Sequence, residues 1–186
     1  MAPSGLLAHA PMTPEVGLRP WAEDDLSLME RLLGDPRMTE HLGGPGSAEQ
    51  IRRRLDGYLA GDGTDGRMFV VVAGEEREPA GSIGYWGHEW QGETVWETGW
   101  SVLPEFQGQG IATRAAALIG RLAAAERRHR SLHAFPSIDN GPSDAVCRNA
   151  GFTLLGSHSF EYPKGHVMQC NDWAITLDPA VATPGP

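Results

Sequence analysis

The segment Trp100-Ser101-Val102-Leu103-Pro104-Glu105-Phe106-Gln107-Gly108-Gln109-Gly110-Ile111-Ala112 decides how the chain is read. It opens on the end of a strand predicted over Thr94 to Val102. Pro104 stops that strand, because proline cannot donate to a ladder. From Gly110 the period turns helical, with Ile111, Ala115, Leu118, Leu122 and Ala125 on one apolar face. The first N–H groups of a helix have no internal partner, and the dipole places partial positive charge there. Such a start suits a pyrophosphate, and glycine lets phosphate oxygens approach the backbone. A P-loop would need Gly-Lys-Ser/Thr, but Gly110 is followed by Ile111-Ala112. A dinucleotide fingerprint would need a third glycine where Thr113 stands, and an earlier strand before it. Two glycines alone serve a structural turn equally well.

Outward from this segment, the chain alternates short strands and helices. Val16 to Arg19 reads as a strand and Trp21 to Leu33 as a helix with Glu23, Asp24 and Asp25 in its first turn. Gly43-Gly44-Pro45-Gly46 breaks the chain, and Ser47-Ala48-Glu49-Gln50 opens a second helix with a capping-box pattern. Met68 to Val72 is a buried strand. Ala80 to Trp90 pairs with Thr94 to Val102 through Gln91-Gly92. Ser131 to Phe135 is a strand and Pro142 to Ala150 a short helix ended by Gly151. Phe152 to Ser157 and His166 to Leu177 form an antiparallel pair joined through Pro163-Lys164-Gly165. The order β-α-α-β-β-β-α-β-α-β-β predicts one α/β domain over residues 15–177 around a mixed sheet. Residues 1–14 read as a leader and 178–186 as a Pro- and Ala-rich tail.

Composition narrows the partners. The chain is 40% hydrophobic and 21% charged, enough to build a core, and its net charge of -9 repels phosphate backbones. Nucleic acid is therefore not an expected partner. The basic run Arg127-Arg128-His129-Arg130 falls at a helix end, where the dipole favours cations. No apolar run approaches the roughly 20 residues of a membrane span, so no membrane association is expected. Residues 1–14 lack the basic and apolar regions of a signal peptide. Cys147 and Cys170 stand apart with no metal-ligand spacing, which fits a reducing cytoplasm and predicts no metal.

Gln107-Gly108-Gln109-Gly110-Ile111-Ala112 resembles the Q/R-x-x-G-x-G/A signature of GNAT acetyltransferases, at the exit of the fourth strand where that family carries it. Asn140, Ser143 and Gly151-Phe152 resemble the family's N-x-x-[AS] helix ending in G-F. The branch it most resembles is the Rim-type ribosomal-protein N-acetyltransferases. The resemblance implies a single GNAT-like α/β domain with a mixed, largely antiparallel central sheet flanked by helices. It implies acetyl-CoA as acyl donor and an amine as acceptor, either a small molecule or a peptide amino terminus. It also implies that Ser101, Val102 and Leu103 bind the pantetheine arm through their backbone. Gln107, Gly108, Gln109, Gly110, Ile111, Ala112 and Thr113 would cradle the pyrophosphate, and Asn140 would reach the pantetheine side. Many members carry Tyr seven residues after this Asn to protonate the departing thiolate; here Cys147 stands there. An ordinary thiol, with a pKa of about 8.5, suits that task poorly and is more often buried. Ser143, one turn from both Asn140 and Cys147, is the preferred donor.

Acetyl transfer needs a neutral amine, so a base must take a proton. Glu97 is the leading candidate, on a strand where Val95, Glu97, Gly99 and Ser101 share one face. His88 is its rival, within the stripe Trp86, His88 and Trp90 that, with Trp100, is expected to line the acceptor pocket. His41, His133 and Asp172 are lesser candidates. A non-catalytic acyl-CoA sensor is the alternative function, suggested by Cys147 in the tyrosine's place. A homodimer through exposed strands stays open.

Overall fold

The computed structural model of the chain describes residues 14–61, 63–161, 165 and 167–177. Strand β1 (Val16–Pro20) lies beside β2 (Gly66–Ala73), and between them the chain builds α1 (Leu26–Leu33) and α2 (Ala48–Ala60). A hairpin of β3 (Glu78–Trp90) and β4 (Glu93–Val102) follows. It turns at Gln91 and Gly92, both at positive φ as a two-residue turn of this kind requires. Helix α3 (Ile111–Glu126) leads to β5 (Ser131–Ala134), and α4 (Gly141–Asn149) to the closing pair β6 (Thr153–Glu161) and β7 (Val167–Thr176). The seven strands join in one sheet, β1-β2-β3-β4-β5-β7-β6. Every neighbouring pair is antiparallel except β4 and β5. The expected order and the expected mixed, largely antiparallel sheet are both present. No helix among the described residues is long and apolar enough to cross a membrane.

The two faces of the sheet bury different cores. On one, α3 and α4 pack over Ile83, Tyr85, Trp96, Leu132 and Trp173. On the other, Leu28, Leu32, Ile51 and Leu55 of α1 and α2 cover Val70 and Val72 of β2. β4 and β5 touch at two positions, Trp96 opposite Leu132 and Glu97 opposite His133. Past Glu97, β4 continues through Thr98 to Val102 with β5 no longer beside it. This opening in the middle of the sheet positions the site.

Three expectations are corrected in detail. The helix expected over Trp21 to Leu33 begins at Leu26, after a 3-10 turn at Glu23–Asp25, and Trp21 is buried in the α1–α2 core. The cause is Asp25. Rather than serving the helix dipole, its carboxylate accepts from Arg19 Nη1 and Nη2 at 2.7 and 2.6 Å and from Ala22 N–H at 2.9 Å. On α3 the buried row is Ile111, Ala115, Ala116, Ile119, Gly120 and Ala123, while Leu122 and Ala125 are exposed and Leu118 is half-buried. Small residues let the helix sit close to the sheet: a Cβ at Gly120 would lie 3.1 Å from Ile175 Cδ1. The closing strands are longer or shorter than expected by a few residues, and Pro163, Lys164 and His166 of their expected connection lie outside the described residues. So do residues 1–13 of the leader and all of the tail.

Arg19 holds the Asp25 carboxyl below the usual carboxylate range, chiefly by its hydrogen bonds. A depressed acid contributes stability that is complete at neutral pH and lost as pH falls through its folded value. Asp25→Ala is therefore expected to lower the unfolding free energy by about 1–3 kcal/mol at neutral pH. The difference from wild type should shrink in acid. Urea melts across pH check this, and equal midpoints at neutral pH would contradict it.

Candidate active site

Helix α3 starts at Gly110, whose φ of 71° is left-handed and whose position carries no side-chain cap. Gly108 is left-handed too, at 72°. A Cβ at Gly108 would meet no heavy atom within 4 Å, and at Gly110 only Arg114 Nη1, at 3.8 Å. The glycines are thus demanded by backbone handedness, and the space above the first-turn donors is open. The loop is braced from within. Gln107 Nε2 donates to the Val102 carbonyl at 2.8 Å, and Gln109 Nε2 to that of Glu105 at 2.9 Å. The Gln107 N–H is engaged as well, donating to the Pro104 carbonyl at 3.2 Å, so of the cradle expected from Gln107 onward this residue braces the loop. Ile111 is buried in the core, so it can offer only its N–H, whereas Ala112 and Thr113 are half-buried.

Sequence reasoning passed over Arg114. It reaches back so that Nη2 donates to the Gln109 carbonyl at 2.9 Å, and its Nε is buried without a hydrogen-bond partner among the described residues. A cation in the first turn opposes the helix dipole unless an anion is expected there, and that misfit was the available signal. The residues fit a diphosphate: uncapped peptide donors, clear space and one adjacent guanidinium.

A cavity of about 990 Å³ adjoins the end of β4. Trp86, Glu97, Ser101 and Cys170 line it from the sheet face that carries α1 and α2, together with Tyr58 of α2. Thr98, Trp100 and Ala134 line it from the opposite face, with Asn140 and Ser143 of α4. Contributions from both faces mean that the cavity passes through the sheet, in the opening between β4 and β5. The N–H of Leu103 donates to Ala80 O at 2.9 Å and its carbonyl accepts from Phe106 at 2.9 Å. By the alternation of an antiparallel ladder, the backbone groups of Ser101 also point to β3. Those facing the opening belong to Thr98, Trp100 and Val102. Of the three backbone positions expected to hold a pantetheine arm, Val102 faces the opening with its N–H, its carbonyl accepting from Gln107 Nε2; Ser101 points to β3, and Leu103 is bonded to Ala80 and Phe106.

Asn140 caps α4, its Oδ1 accepting from Ser143 N–H at 3.1 Å. The Ser143 hydroxyl has no partner among the described residues and lies at the cavity wall. Cys147 lies in the α3–α4 core, fully buried, and burial pushes its thiol up to about 12. It is a core residue.

Glu97 lines the cavity with its side chain only 15% exposed. Burial pushes its carboxyl up to about 7, against weaker opposing pulls from a Trp86 hydrogen bond and from His133. The two rival bases turn out to be partners: His88 Nδ1 lies 3.3 Å from Glu97 Oε2. Trp86 is the one member of the expected aromatic stripe that reaches the cavity. Trp90 instead donates its indole N–H to Asp172 Oδ2 at 3.0 Å and packs on Phe135, and His88 lies against both rings. Trp100 meets the cavity from the α3–α4 side, not from an acceptor wall facing α1 and α2. His133 and Asp172 close on each other, with Nδ1 to Oδ1 at 2.7 Å, and His133 Nε2 lies 3.0 Å from Ser131 Oγ. His41 lines the cavity, as do Arg54, Asp65, Arg67, Phe135 and Met168, which sequence reasoning did not single out.

The model of the acetyltransferase (GNAT) domain matches residues 15–153. No curated protein matches the chain by sequence. Among solved structures, an acetyl transferase from Salmonella typhimurium that modifies the N-terminal serine of a 50S ribosomal subunit protein shares 24% identity, with a TM-score of 0.70 over 88% of this chain and 95% of that one. The aminoglycoside acetyltransferase AAC(6')-Ib in complex with coenzyme A shares 20% identity at a TM-score of 0.69, covering 87% and 95%. Spermidine N-acetyltransferase from Vibrio cholerae, in complex with CoA and spermine, shares 15% identity at 0.71, again covering 87% and 95%. At these identities the likeness speaks to fold, while the family match spans three quarters of the chain. The glycine cradle at α3, the opening between β4 and β5 and this match together place the chain in the GNAT family of acetyltransferases.

Proposed function

We propose that the chain is an acetyl-CoA-dependent N-acetyltransferase in which the amine attacks the thioester directly, with both substrates bound. Acetyl-CoA supplies an activated acyl carbon and a thiol leaving group. The N–H groups from Gln109 to Thr113, with Arg114, hold its diphosphate at the start of α3. The backbone of Trp100 and Val102 guides the pantetheine arm into the opening between β4 and β5. The amine enters from the α1–α2 face, where Glu97 takes its proton. Ser143, across the opening on α4, donates to the departing sulfur. The observation that carries this reading is the burial of one carboxyl in a cavity running from one sheet face to the other.

The cavity also selects among amines. Among the described residues, its charged side chains are Arg54, Asp65, Arg67 and Glu97, two of each sign. A polycation gains no net attraction from such a wall. Tyr58, Trp86, Phe135 and Met168 supply apolar surface. The acceptor is therefore a singly charged amine on an apolar body, including a peptide amino terminus with an apolar first side chain. An α-amine, with pKa about 8, is roughly a tenth neutral at pH 7, against about one part in a few thousand for a lysine. It asks less of a base with a pKa of about 7.

Glu97→Gln is expected to lower kcat by about 10²–10⁴-fold while leaving acetyl-CoA affinity by calorimetry near wild type. An unchanged kcat would remove Glu97 from the base's role. In the wild-type protein, kcat/KM should fall as pH drops through about 7, because the base accepts a proton only as the carboxylate. A profile flat across neutral pH contradicts this. In a screen at saturating acetyl-CoA, arylalkyl monoamines and peptides with apolar amino termini should release CoA faster than spermidine or aminoglycosides. The reverse ranking overturns the acceptor class.

A further inference from the structure

We propose that His88 is the proton-relay partner of Glu97, passing the proton taken from the amine out of the cavity to solvent. The proposal rests on the reading of Glu97 as the base.

The geometry has three parts. Glu97 faces the cavity, and His88 stands behind it, its Nδ1 3.3 Å from Glu97 Oε2 and its side chain 27% exposed against 15% for Glu97. The imidazole is therefore the more open end of the pair. Second, the other groups around Glu97 are more deeply buried than His88 or poorer proton carriers. His133 faces it from β5, but both its ring nitrogens are engaged, by Asp172 and Ser131. Cys170, from β7, has a thiol that burial, then the Glu97 charge, pushes up to about 11. Trp86, on β3, offers an N–H donor alone. Third, the His88 ring is held in place, 6.1 Å from Trp90 and 5.7 Å from Phe135, ring centre to ring centre. Glu89 adds a carboxylate beside it, and His158 packs on the far side of Trp90.

Burial, reinforced by His133 and opposed by Glu89, pulls the His88 pKa below its ordinary value. The imidazole thus waits neutral and does not retain a proton it receives. The cycle balances in three transfers. The Glu97 carboxylate accepts a proton from the ammonium, leaving the free amine to attack. The carboxyl hands that proton to the His88 imidazole, and the imidazolium gives one up to water, restoring both groups. No other bond changes.

The test is the pH profile of His88→Gln and His88→Ala, with acetyl-CoA affinity by calorimetry and circular dichroism as controls for folding. A relay predicts a kcat lower by about tenfold or more in both. For His88→Ala it also predicts an acid limb displaced to lower pH, since burial is the chief cause of the raised Glu97 pKa and the truncation opens the carboxylate to water. Added imidazole should restore part of the His88→Ala turnover. Wild-type kcat and pH profile in His88→Gln overturn the relay. Should both variants misfold, the wild-type protein decides. The ¹⁵N NMR titration of the His88 ring must change midpoint on Glu97→Gln, and an unchanged midpoint overturns the coupling. The underlying reading fails separately: an active Glu97→Gln removes the base, whereas an inactive one beside unaffected His88 variants removes the relay alone.

Discussion

The structure depends on one parting of strands. β4 and β5 share two paired positions and then separate, so the backbone of β4 from Thr98 to Val102 faces an opening in the middle of the sheet. An unpaired peptide edge inside a domain is costly unless something satisfies it. A ligand that runs along it with amides of its own meets that need. The same parting brings residues from both sheet faces into the lining of one cavity, so groups reaching it from either face can meet.

Around this opening the protein arranges polar groups by burial. Cys147 sits at the position where many family members carry a tyrosine, yet it is packed into the core and does not line the cavity. Ser143, one turn earlier, keeps a hydroxyl at the cavity wall. On the other side, burial raises Glu97 into the neutral range, where a carboxylate can both accept a proton and release it. The Asp172 carboxylate nearby is tied to His133 and Trp90, which fixes the aromatic cluster behind Glu97.

Much of this was legible from residues alone. Pro104, two glycines and a change of period marked the strand, loop and helix that carry the cradle. The β3–β4 register was legible as well: a two-residue turn at Gln91-Gly92 pairs Trp90 with Glu93, hence Trp86 with Glu97, and makes His88 a diagonal neighbour of Glu97. Following that register through would have shown the rival bases as partners. Other features were not legible. The phase of α3 was misjudged because leucine looks like a core residue, whereas close helix-to-sheet packing favoured alanine and glycine. The role of Asp25 depended on Arg19, whose position is set by strand pairing. Which side of the sheet Trp100 serves depended on the opening, and nothing in the sequence marks where β5 leaves β4.

A crystal structure with a non-hydrolysable acetyl-CoA analogue tests the account most directly. The account predicts diphosphate oxygens on the N–H groups from Gln109 to Thr113 and the acyl carbonyl inside the opening. The Ser143 hydroxyl should then lie within hydrogen-bond reach of the sulfur position, with Glu97 on the far side, one water or less from where an amine would attack. An acyl group outside the space between β4 and β5, or one shielded from Glu97 by other side chains, would contradict it.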